Sequence, residues 1–152
     1  MIQRIQSLYL LAASIFMGTP AIMRLLYLSG SNGFYELYAR GIFSATGEKV
    51  ESTIYMLALL VIGAVLPITT IFQFNNRKLQ VKLCIMSITL AACSLVLIGA
   101  YCHLMAQAMG ITSLPVPTPV AALPILAIVV EYMAIRAIKR DEDLIRSLDR
   151  IR

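Results

Sequence analysis

Residues 52–74 read STIYMLALLVIGAVLPITTIFQF, a run without one charged side chain. The hydrocarbon core of a bilayer takes about 20 apolar residues as a helix, so this stretch alone predicts a transmembrane span. Three further runs of that length flank it. One covers residues 5–24, entered after Arg4 and closed by Arg24. A second covers 83–107, where His103 is the only ionisable group besides Tyr101 and the cysteines. The last covers 118–138 and carries Glu131 and Arg136.

The composition agrees with four spans. Of 152 residues, 59% are hydrophobic and 14% charged, and the mean hydropathy is +0.81. Soluble domains carry roughly 25% charged residues, and a domain this small leaves much of its surface exposed. Lipid is therefore the expected solvent. The fold class predicted is an all-α integral membrane protein. Residues 1–138 form a four-transmembrane-helix bundle, 25–51 a small extracytoplasmic loop, hairpin or lid, and 139–152 a cytoplasmic amphipathic tail. The first run is long for a signal peptide, and its small-residue site Ala12-Ala13-Ser14 falls inside the apolar stretch, so it reads as an uncleaved span.

The distribution of Lys and Arg sets the orientation. Arg4, then Arg77, Lys78 and Lys82, then Arg136, Lys139, Arg140, Arg146, Arg150 and Arg152 fall on one side; Arg24, Arg40 and Lys49 fall on the other. Ten against three places both termini in the cytoplasm. The net charge of +5 is thereby explained without a nucleic-acid partner, because the basic residues sit at the ends of apolar runs.

Between the spans, Ser29-Gly30-Ser31-Asn32-Gly33 and Ala45-Thr46-Gly47-Glu48 are turn signals around an aromatic segment. Tyr27, Phe34, Tyr35, Tyr38 and Phe43 fit an interfacial aromatic belt, with a binding groove as the alternative. Pro115, Pro117 and Pro119 predict a stiff connector into the fourth span. Pro67 is the main kink candidate, and Ser14 with Gly18, four apart, offer a close helix contact. Cys84, Cys93 and Cys102 lie nine apart, so Cys84 and Cys102 share a face but are separated by about 27 Å along a helix. They are read as packing residues.

Two ionisable groups remain. His103 reads as a surface or capping residue. Glu131 is an acid inside an apolar run, which is a functional candidate by default. It lies about 12 Å along the helix from Lys139, so it is expected at shallow depth, paired with Arg4 or hydrogen-bonded to Gln3 or Gln6. In the tail, Leu144, Ile145, Leu148 and Ile151 form an apolar stripe beside charges that nearly balance. That stripe, with Arg77 and Lys78, is the candidate docking surface.

The opening MIQRIQSLYLLAA, the loop NNRKLQVKLC and the tail RAIKRDEDLIRSLDRIR together resemble a domain-of-unknown-function family of small four-span membrane proteins of Bacteroidota, number 4293. Asn76, Arg77, Lys78, Leu79 and Gln80 match the loop pattern. Arg136, Lys139, Asp141, Glu142, Arg146, Asp149 and Arg152 match the tail pattern. The resemblance implies an inner-membrane location and supplies no reaction. With one histidine, no C-x-x-C, no HExxH and no phosphate-binding glycine loop, no cofactor, metal or enzymatic activity is expected. The leading expectation is an accessory or assembly subunit of a larger membrane complex or homo-oligomer. The alternative is a small transporter or channel using Glu131.

Overall fold

The computed structural model describes residues 2–30, 33–73, 76–108 and 116–149, with side chains from Ile5 to Glu142. Among these residues, four long helices carry the chain: α1 (Ile2–Ile22), α2 (Ile54–Phe72), α3 (Arg77–Ala108) and α4 (Leu123–Asp149), the last entered through a single 3-10 turn at Pro119–Ala122. All four are long and apolar enough to cross a membrane. They close a ring in chain order, with α1 packed on α2 and α4, and α3 packed on α2 and α4.

One periodicity explains the ring. The buried positions are Gln6, Leu10, Ala13, Met17 and Pro20 on α1, and Met56, Leu60, Gly63, Pro67 and Thr70 on α2. On α3 they run Gln80, Cys84, Ser87, Ala91, Ser94, Ile98 and Met105, and on α4 Pro124, Ala127, Glu131, Ala134, Ile135, Ile138 and Asp141. The gaps alternate between three and four, apart from a step of seven to Met105 on α3 and the additional buried Ile135 on α4. This 3.5-residue repeat keeps one seam of each helix facing its neighbours and favours left-handed packing at about 20°. Many seam residues are small, as expected where helices approach closely without a hydrophobic driving force. The sequence pair Ser14 and Gly18 faces α2 in this way. Ser14 Oγ donates to the Ala64 carbonyl at 2.8 Å, and a Cβ on Gly18 would sit 3.8 Å from that of Ala64. Cys84 is buried and Cys102 half-buried on the shared face, whereas Cys93, on the opposite face, is exposed and does not pack inside the bundle.

The all-α expectation needs correction outside the bundle. Among the described residues, five antiparallel strands form one sheet in the order β4-β3-β2-β1-β5: β1 (Arg24–Gly30), β2 (Gly33–Tyr38), β3 (Gly41–Ser44), β4 (Lys49–Glu51) and β5 (Val116–Pro117). The first four develop the expected hairpin or lid into a meander. The fifth comes from the proline-rich connector, whose Val116 and Pro117 pair with Tyr27 and Leu26. A strand edge accepts proline because the lost donor faces away from the ladder. Leu26, Leu37 and Ile42 are aligned across β1, β2 and β3. They are buried in one core with Met56, Ile98 and Met105, so the sheet lies over the start of α2 and the end of α3.

Two threonines tie sheet to bundle. Thr53, just before α2, is buried and directs its hydroxyl to the Tyr38 and Ala39 carbonyls at 2.9 and 2.8 Å. Thr118, before the 3-10 turn, donates its amide to the Leu25 carbonyl at 3.0 Å and places its hydroxyl 2.8 Å from the Arg24 and Leu25 carbonyls.

Candidate functional site

The aromatic segment becomes a polar face on the sheet. Alternation along β1 and β2 puts Tyr27 opposite Glu36, and the next pairing puts Glu36 opposite Phe43. Arg24 Nη1 meets Glu36 Oε1 at 2.5 Å, and Tyr38 Oη donates to Glu36 Oε2 at 3.0 Å. The Arg24 guanidinium lies 3.7 Å above the Tyr27 ring, and Arg40 stacks on both Tyr38 and Phe43. Donation to the Glu36 carboxylate, with burial second, holds the Tyr38 phenol above its ordinary value of 10.0. His103 is exposed, with its ring 3.1 Å from the Gln107 amide.

Inside the bundle, polar side chains gather at two heights. At mid-height, Ser87 Oγ on α3 donates to Glu131 Oε1 on α4 at 2.5 Å and lies 3.4 Å from the Gly63 carbonyl on α2. That carbonyl is short of a helical donor because Pro67, four residues on, has no N–H. One hydroxyl thus touches three helices at the level where α2 is weakened. Glu131 is fully buried, and its Oε2 has no hydrogen-bond partner among the described residues.

The contact changes the depth expected for Glu131. Gly63 is the midpoint of Ile54–Phe72, and Glu131 is central in the apolar window Pro119–Glu142. Distance along α4 to Lys139 understated how far Glu131 lies from the end of the bundle, because α4 runs on past Glu142 and exposed basic residues on long stems fall inside its apolar window. The partner differs as well. Gln6 is turned to Asp141, to which its amide donates, and does not reach Glu131. In this antiparallel register Glu131 lies ten residues, about 15 Å, beyond the Gln6 level. The side chains of Gln3 and Arg4 are outside those described.

The second layer closes the basic end. Besides Gln6 and Asp141 it holds Gln80, whose amide donates to the Thr70 carbonyl at 3.1 Å. From the Ser87–Glu131 contact, ten residues back along α3 and ten forward along α4 bring Arg77 level with Asp141. Arg77 Nη1 and Asp141 Oδ1 are both buried without hydrogen-bond partners among the described residues. Arg77 is half-buried and Lys78 exposed, in the first turn of α3 instead of a loop. The side chains of Leu144, Ile145 and Leu148 are outside the description, although the backbone is helical through them. Ile151 lies outside the described residues.

Sequence reasoning missed Ser87, Asp141 and Gln80 as polar partners. The heptad seam on which all three fall was the available signal, since polar residues at seam positions of an apolar helix must bond across it.

Fold and interior together define a small four-helix bundle with an apolar exterior, polar seams and a sheet over one end. The chain belongs to the family described as Domain of unknown function (DUF4293), whose model matches residues 2–151. No curated protein and no solved structure matches the chain.

Proposed function

We propose that the protein is an integral protein of the bacterial inner membrane, with both termini in the cytoplasm, that serves as a non-enzymatic accessory or assembly subunit of a larger membrane complex. The observation that carries this reading is the length of α4. It continues without a break from Glu142, where the apolar window ends, to Asp149. Those seven residues hold Leu144, Ile145 and Leu148 between charges of both signs, a pattern that suits docking against protein better than against anionic lipid. The sheet over the opposite end supports the reading, since its ring stacks and threonine bonds make a rigid cap. The test is gentle purification of the full chain and of a chain ending at Glu142. A stoichiometric partner is expected with the first and not with the second.

A second reading, a small transporter or channel, is favoured by the height of Glu131. Coupling acids of transporters lie near the midplane, and Glu131 with Ser87 and the Gly63 carbonyl lies at mid-height. Its full burial and its bond to Ser87 fit a structural clamp between α3 and α4 equally well. Replacing Glu131 by Gln separates the two, because a clamp survives the loss of charge and proton-coupled flux does not.

A further inference from the structure

A cleft of about 440 Å3 opens on the outside of the bundle between α1 and α4, lined by Ile5, Tyr9, Met133, Arg136, Ala137 and Arg140. Its walls follow from helical spacing. Ile5 and Tyr9 are four apart on α1, and Met133, Arg136, Ala137 and Arg140 fall at i, i+3, i+4 and i+7 on α4, so each set shares one face. These faces adjoin the buried seams but are turned outward: Ile5 is 51% exposed and Met133 43%. With Gln6 level with Asp141, the wall runs from Met133, nearest mid-height, past Arg136, Ala137 and Tyr9 to Arg140 and Ile5 at the basic end.

The cations are available. Arg136 and Arg140 are exposed, and neither forms an ion pair among the described residues. The adjacent acid, Asp141, points into the bundle and takes the Gln6 amide. Arg136 lies with its guanidinium 5.9 Å from the exposed Tyr132 ring, on the outer surface of the helix. Counting from Glu131 at mid-height, Arg136 is about 7.5 Å and Arg140 about 13.5 Å toward the basic end. Half the hydrocarbon thickness is about 15 Å. Met133 and Tyr9 therefore face acyl chains, and Arg140, with Ile5 beside its level, reaches the headgroup boundary.

We infer that this cleft binds one anionic phospholipid, its phosphate held by Arg140 and Arg136 and an acyl chain laid along Tyr9 and Met133. The inference rests on the reading of the bundle as membrane-embedded. Charge complementarity selects the occupant. Two guanidiniums need an anion, and a cleft whose remaining wall is apolar and lies within the hydrocarbon region suits an anion with a long apolar chain. A basic pocket between helices at the membrane surface is a recognised way of holding such headgroups. The volume is within the roughly 300–1,000 Å3 of small-molecule sites.

The test is native mass spectrometry of the full chain from mixed micelles holding equal phosphatidylglycerol and phosphatidylcholine. Carbonate extraction of the source membranes is run first as a control. Wild type is expected to resist extraction and to retain one phosphatidylglycerol, preferred about tenfold over phosphatidylcholine. The double variant Arg136→Gln, Arg140→Gln loses the preference. Met133→Trp, which fills the cleft and keeps both charges, loses the bound lipid. Release of wild type by carbonate would overturn the membrane reading itself. A chain that stays in the membrane yet binds both lipids equally, or keeps its preference in both variants, would overturn the lipid site alone. So would retention of inorganic phosphate, added at millimolar concentration, with no lipid.

Discussion

Ser87 and Glu131, 44 positions apart in the chain, share a hydrogen bond of 2.5 Å at mid-height of the bundle. The bond joins α3 to α4 on the seam, where the flanking positions are Cys84 and Ala91 on α3 and Ala127 and Ala134 on α4, and it places the buried acid beside the carbonyl that Pro67 leaves without its helical donor. Its two ends are not equivalent. Glu131 has one partner for two oxygens, whereas Ser87 has two acceptors for one proton.

That asymmetry predicts the order of two substitutions. Glu131→Gln preserves a carbonyl for Ser87 and removes a potential charge, so its cost stays below about 0.6 kcal/mol. Ser87→Ala leaves a buried carboxyl with no bond and costs about 1–2 kcal/mol. Unfolding equilibria in mixed micelles measure both. A larger loss for Glu131→Gln than for Ser87→Ala would show that the charge itself holds the helices.

Close packing at the same height predicts a coupled pair. A Cβ on Gly63 would lie 2.5 Å from Met17 Cε, and Met17 is fully buried. Gly63→Ala should therefore cost about 1–3 kcal/mol by overpacking, and less when Met17 is shortened to Ala. A double-mutant cycle measures the coupling. Strictly additive costs would place the two residues out of contact.

The sheet predicts a titration at high pH. Folding raises the Tyr38 phenol through its bond to Glu36, so this contact contributes stability below the ordinary value of 10.0 and loses it as pH climbs through the raised value. The difference in phenolate absorbance between wild type and Tyr38→Phe isolates the group. Its midpoint should lie above 10.0, and Glu36→Gln should bring it down. A midpoint below 10.0 would mean that Arg24, not Glu36, governs the phenol.

The four long apolar helices were legible because length and lack of charge over residues 52–74 leave no other structure. The edges were less so. Arg77, Lys78 and Lys82 suggested a loop, yet they form the first turns of α3, since long basic stems extend along a helix without breaking it. The pairing of Val116 and Pro117 with β1 was hidden because it joins segments some 90 residues apart, and no local pattern encodes a partner at that distance. Glu131 was legible as a candidate polar contact, but its height in the bundle and its partner depend on the register of three helices, which no single span contains.

The charge count predicts topology. Reporters that act only outside the cytoplasm should be active when fused after Glu48 or Pro115, and silent after Gln80 or Arg152. Activity at Arg152 would reverse the bundle and place the α4 extension outside the cell.

The subunit account rests most directly on the α4 extension, and the deciding measurement is quantitative co-purification of three versions of the full chain: wild type, Glu131→Gln, and the double variant Leu144→Ser, Leu148→Ser. All three should reach the membrane in equal amount, because the changed tail residues lie beyond the apolar window that ends at Glu142. The account predicts one partner retained at fixed stoichiometry by wild type and by Glu131→Gln, and lost at least about tenfold in the tail variant, as expected when two docking side chains of about 1 kcal/mol or more each are removed. A tail variant that keeps every partner, alongside a Glu131→Gln protein that no longer supports a proton-coupled flux seen with wild type, would contradict it.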